Sequence, residues 1–102
     1  MPRLPLQFHP DARQEVLEAH AWYRERSQSA AEAFGLELER AGKAIRDMPN
    51  RWARYLHGTR RFLMWRFPFI IVYRATPERI EILAVAHGRR KPGYWKARIE
   101  AH

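Results

Sequence analysis

Residues 60–87 read RRFLMWRFPFIIVYRATPERIEILAVAH, and their punctuation decides the fold. Phe67-Pro68 and Thr76-Pro77-Glu78 divide the stretch into three strand-like runs at 60–66, 69–75 and 79–87. Each run is rich in β-branched and aromatic residues and the connections are hairpin-short, which predicts an antiparallel meander. Ile70-Ile71-Val72-Tyr73 is apolar without alternation, the pattern of a central strand covered on both faces.

On the N-terminal side, Phe34, Leu38, Ala41, Ile45 and Met48 keep helical spacing until Pro49-Asn50 stops the pattern. Ser29 with Glu32 three residues later reads as a capping box, which starts this helix near Ala30. An earlier helix carries Ala12, Val16, Ala19, His20 and Tyr23 on one stripe, with Arg13, Glu15, Glu18, Arg24 and Glu25 facing water. The Arg26-Ser27-Gln28 link is short enough to make the two an antiparallel hairpin. Before them, Leu4, Leu6 and Phe8 alternate with Pro5 and Gln7 as a half-buried strand, and Pro5 restricts it to an edge or a strand start. His9-Pro10-Asp11 then opens the first helix. The expected architecture is one α+β domain over 1–102: N-terminal strand, helical hairpin, three-stranded antiparallel meander, helices on one face of the sheet and a short C-terminal tail.

Charge divides the chain unevenly. Residues 1–50 hold 7 Lys/Arg against 8 Asp/Glu, whereas residues 51–102 hold 12 against 3, so the net +8 is concentrated in the strand half. A one-sided positive surface suits a polyanion or an acidic protein segment. Length and 46% hydrophobic content allow one filled core and argue against disorder. Without cysteine there is no disulfide, thiolate nucleophile or thiolate metal site, and no stretch has the length of a signal or membrane-spanning segment. A soluble, cytoplasmic protein is expected. His9, His20, His57, His87 and His102 show no ligand-like spacing with carboxylates, so neither metal nor cofactor is expected.

The order of these pieces resembles the RelE/ParE superfamily of toxins from type II toxin-antitoxin modules. The resemblance rests on Phe8-His9-Pro10-Asp11-Ala12, Trp22-Tyr23, Ile45 to Pro49, Arg61-Phe62-Leu63, Arg66 to Tyr73, Ile82 to His87 and Arg89-Arg90. It spans nearly the whole chain. It implies a growth inhibitor that is neutralised by a co-encoded antitoxin with an acidic, amphipathic toxin-binding segment. RelE-like members cut ribosome-bound mRNA, whereas ParE-like members poison DNA gyrase without a nuclease site, and membership alone does not choose between them.

Metal-free RNA cleavage needs a base for the 2′-OH, an acid for the leaving oxygen and cations for the phosphorane. His87, Arg89, Arg90, Tyr94 and Arg61 supply a candidate catalytic set, with His87 as acid or base, the arginines on phosphate, and Tyr94 as proton donor or stacking ring. Arg51, Arg54, His57, Arg60, Arg66, Lys91 and Lys96 are candidate target-binding residues, the first three on the irregular connection 51–58. RelE itself relies on lysines, and no Lys lies between Lys43 and Lys91. Arginine stays protonated and cannot be the base, which leaves His57 or His87, or no nuclease.

Structural readings stand beside these. Arg60, Arg61 and Arg66 read equally as a solvated strand edge, and His87 as a cap on its strand. His20 reads as a core histidine, Trp22, Tyr23 and Phe34 as packing, and Trp95 as an anchor for the tail, with Tyr94 open between anchor and platform. A non-catalytic basic module for nucleic acid or protein is the alternative function, since 16 of the 19 cations are Arg.

Overall fold

The three runs become β2 (Arg60–Leu63), β3 (Phe69–Ala75) and β4 (Ile80–His87) in a computed structural model that describes residues 3–99. β2 pairs antiparallel with β3 and β3 with β4. The first run is shorter than the sequence pattern suggests. At Met64 the chain turns, with the Met64 N–H donating to Phe69 O, and the Arg66 N–H leaves the sheet for Glu37 on the second helix.

β1 (Leu6–Phe8) lies parallel to β4, so the sheet is mixed, with order β1-β4-β3-β2. Pro5 suits this place: its carbonyl accepts the Ile80 N–H, and the missing donor costs nothing on an edge strand. β3 and β4 fill the interior positions, and β4 is buried from Ile80 to Ala86.

Helices α1 (Pro10–Arg26) and α2 (Gln28–Asp47) cover one face. His9 caps α1, its Nδ1 accepting the Asp11 N–H. The cap of α2 is Ser27, not Ser29: its Oγ accepts the Ala30 N–H at 3.2 Å, while Glu32 meets the Gln28 amide instead. Ser27 takes an extended conformation and donates its own N–H to Tyr23 O, so one residue closes α1 and opens α2. The capping box at Ser29 never forms because the helix has already begun two residues earlier.

Ala12, Ala19, Phe34, Ala41 and Ile45 are buried beneath the hairpin, with Val16, Tyr23 and Leu38 packed against them and His20 half-buried. Tyr23, Phe34, Phe67 and Phe69 stack edge-on or tilted at 5.0–6.5 Å between ring centres, locking the β2–β3 connection to both helices. Three residues depart from the expected faces. Met48 lies past the end of α2 and is exposed. Trp22, one position off the Tyr23 stripe, is 51% exposed beneath the Arg26 guanidinium. Glu15, expected in water, is nearly buried.

The second face of the sheet is covered by the tail. Trp95 lies buried against Val72, Ala84 and Ala86, with Tyr55 and Ile70 packed around them. Gly93 makes the turn that delivers it, at φ +85°, where a side chain would be strained. A four-residue helix, α3 (Lys96–Ile99), follows.

Candidate functional site

Glu15 joins α1, β4 and the tail at the candidate site. Facing in from α1, its carboxylate accepts the Val85 N–H at 3.0 Å, the Tyr94 hydroxyl at 2.6 Å and both terminal nitrogens of Arg98 at 2.9 Å. Arg98 also donates to Leu83 O, and the Arg90 guanidinium lies 3.7 Å from Glu15 and 3.7 Å above the Tyr94 ring. The tail is thus tied to α1 and β4 by one ionic knot on the rim of its own face.

Burial by itself would raise the Glu15 pKa, but the Arg98 hydrogen bonds, then those of Tyr94 and the Val85 N–H, outweigh it and hold the carboxyl below its ordinary range. For Tyr94, burial and then the Glu15 carboxylate push the phenol well above its ordinary value. A lowered folded-state pKa means that the unfolded chain binds more protons in acid. The stabilisation is therefore complete above about pH 4.5 and is lost as pH falls through the folded pKa. Glu81, buried between Arg74 and Arg79 and likewise lowered, adds in the same sense. Denaturation below pH 4.5 is expected to show a shallower loss of stability in Glu15→Gln than in the parent chain, with Glu81 supplying the remaining slope. Parallel curves would show that Glu15 is no more acidic folded than unfolded.

A cavity of about 390 Å³ opens beside this knot, between α1 and the adjoining ends of β3 and β4. His87, Arg90 and Tyr94 line it together, along with Trp22, Glu15 and Glu18. Three of the five proposed catalytic residues therefore share one hollow. His87 Nδ1 accepts the Arg89 N–H at 3.1 Å and its ring packs edge-on to Phe69, the geometry of a strand-end cap. Arg89, Lys91 and Lys96 are exposed.

The remaining candidates lie elsewhere. Arg61 stacks 5.1 Å over Tyr55 on the tail-covered face. Arg60 donates to Trp52 O, Arg51 lies over the Trp52 ring, and Arg54 pairs with Arg60 in an isolated bridge. His57 has φ 58° in a 3-10 turn at Leu56–Gly58 and leans on Trp95 at 5.9 Å, which makes it part of the lid over that residue. The Arg66 side chain is exposed. Tyr73, whose hydroxyl donates to Pro49 O, has its pKa raised by burial to about 12 despite Arg60. His102 lies outside the described residues; among those described, no three His, Asp or Glu side chains gather as a metal site. No described helix is long and apolar enough to cross a membrane.

Sequence reading passed over Glu15 and Arg98, the centre of the arrangement. Neither carries a local signal: Glu15 sits on the polar side of its helix pattern, and its partner is 83 residues away.

Residues 6–92 match the family model described as ParE toxin of type II toxin-antitoxin system, parDE. Toxin ParE2 from two strains of Mycobacterium tuberculosis is 28% identical over 95 residues, covering 92% of this chain and 90% of the relative. A solved structure of the chromosomal ParDE TA system from P. aeruginosa superimposes with a TM-score of 0.72 at 19% identity, over 83% of this chain and 96% of that one, and shares the fold. A strand, a helical hairpin and an antiparallel meander closed by a basic turn, matched over residues 6–92, place the chain in the ParE toxin family of type II toxin-antitoxin systems.

Proposed function

We propose that this toxin arrests growth in the cytoplasm by binding DNA gyrase rather than by cutting mRNA. The observation that carries the reading is the engagement of Tyr94 and Arg90 with Glu15. A tyrosine whose proton is held by a carboxylate, with its pKa raised, is a poor acid for a leaving oxygen, and an arginine partly neutralised by that carboxylate is a weaker phosphate clamp. Glu18 on the same wall repels a phosphodiester. Family membership supports the same side, since ParE-like members act without a nuclease site.

The partner that neutralises it is a co-encoded antitoxin. Trp22 and Phe69 give the cavity an apolar wall for the apolar face of an amphipathic helix, and the exposed Arg89, Lys91 and Lys96 offer cations to its acidic residues.

Purified chain is expected to inhibit gyrase supercoiling and to accumulate cleaved DNA, while transcripts mapped minutes after induction show no new 5′ ends. The His87/Arg89/Arg90 triple alanine variant is expected to change arrest only mildly. New cuts within codons that vanish in this variant would instead establish the ribosome-dependent nuclease, the reading favoured by the shared placement of His87, Arg90 and Tyr94. Neither arrest nor cuts would leave the non-catalytic basic module.

A further inference from the structure

On the cavity wall stands a side chain that core packing does not account for. Trp22 is 51% exposed, yet it lines the hollow together with Tyr23 and Phe69. Its setting is built rather than loose. The Arg26 guanidinium lies 3.5 Å over the indole and donates to Trp22 O at 2.8 Å, so one side chain both covers the ring and bonds a carbonyl near the end of α1. Tyr23 meets the indole edge-on at 5.0 Å and is itself held against Phe34 and Phe67. An indole kept in one orientation beside an apolar hollow loses little freedom when a partner covers it, the property that suits a ring to anchor an interface.

Charge differs from one rim of the hollow to the other. On the α1 rim, Glu18 stands one turn before Trp22 and meets the Gln14 amide rather than a cation. On the tail rim, Arg90 is engaged by Glu15 at 3.7 Å, and the exposed Arg89, Lys91 and Lys96 flank it. A helix that fits both rims lays its apolar stripe on Trp22 and Phe69, turns its acidic residues toward the tail and places none opposite Glu18. Membership of a type II toxin-antitoxin system carries a neutralising protein partner whichever target is arrested. That partner, and not the target, is the one expected to be acidic and amphipathic.

We infer that Trp22 is the anchor on which the antitoxin helix docks, that Arg26 positions the indole for it, and that Glu18 sets the helix's orientation by keeping acidic residues off the α1 rim. The inference rests on the reading of this cavity as the antitoxin's site and names the residues that hold it. The test titrates the antitoxin encoded beside this chain against the full chain and its Trp22→Ala, Trp22→Phe, Arg26→Lys and Glu18→Gln variants. Thermal melting, and growth arrest on expression without antitoxin, are measured for each. Trp22→Ala is expected to weaken antitoxin binding on the order of thirtyfold, the scale of an aromatic anchor, and Trp22→Phe to recover part of the loss. Arg26→Lys keeps the charge but not the planar cover, so it should weaken binding severalfold, by the same factor at low and high salt. Glu18→Gln should bind as tightly as the parent or more tightly, and weaker binding by it would overturn the assigned orientation. Arrest and melting should stay at the parent's values. Parent-like binding by Trp22→Ala overturns the inference and leaves the antitoxin docked elsewhere. A Trp22→Ala chain that keeps antitoxin and loses arrest gives the wall to the target and overturns it too. An antitoxin that does not bind the parent chain overturns the reading beneath the inference. Should Trp22→Ala melt low, Trp22→Phe and Arg26→Lys decide, and parent-like binding by both overturns the anchor.

Discussion

Trp95→Ala is expected to lower the stability of the chain by about 3–5 kcal/mol, the range for removing a fully buried tryptophan. Trp95 heads the largest fully buried side chains, at 1% exposure, and it is what covers Val72, Ala84 and Ala86 on the face of the sheet opposite the helices. Its loss leaves a void lined by β3 and β4 and releases the strap that sets Tyr94 and Arg98 against Glu15. Tyr55 and His57, which lean on the indole, lose their backing at the same time. Urea denaturation followed by circular dichroism measures the change, and Trp95→Phe should recover much of it because a ring still fills the site. An unchanged midpoint for Trp95→Ala would mean that the tail is not part of the cooperative fold.

Glu15→Ala comes next, at about 3 kcal/mol, the low end of the range for breaking a buried ion pair, because the side chains of Glu15 and Arg98 keep 10% and 13% exposure. The cost comes from the groups left behind. The Arg98 guanidinium loses both charge-assisted bonds, and the Val85 N–H and Tyr94 hydroxyl lose their acceptor in a half-buried place. Removing Arg98 as well takes away the stranded charge. The Glu15→Ala/Arg98→Ala double variant is therefore expected to be more stable than the sum of the single effects implies, by about 2 kcal/mol. Strict additivity in that cycle would show that the two side chains do not act as a unit.

Both predictions concern the tail, and the tail shapes the candidate site. Arg90 and Tyr94 reach the cavity because Gly93 turns the chain, Trp95 seats it and Arg98 ties it to α1. A toxin assembled in this way offers a firm surface for a partner, which is what inhibition by binding requires, whereas phosphodiester cleavage requires acid and base groups free to exchange protons.

How much of this was legible beforehand differs from element to element. β3 lies at Phe69–Ala75, the run bounded by Phe67-Pro68 and Thr76-Pro77-Glu78, because prolines and alternating or continuous apolar patterns act within a few residues. The helical stripe of Phe34, Ala41 and Ile45 was readable for the same reason, and a tail anchor at Trp95 was available from its aromatic bulk beside turn residues. The start of α2 was misplaced by two residues because Ser27 and Ser29 both offer a capping oxygen, and the choice between them depends on how closely the two helices pack.

The sequence by itself determined the elements, their order, the family and the concentration of positive charge, all of which are properties of neighbouring residues or of simple sums. Tertiary structure alone decided that β1 runs parallel to β4, that Trp22 faces water, and that Glu15 is the hub of the candidate site. A carboxylate on the polar side of a helix pattern belongs in water until a cation arrives to meet it, and here Arg98 arrives from 83 residues away, carried by a tail whose placement against α1 no local pattern encodes.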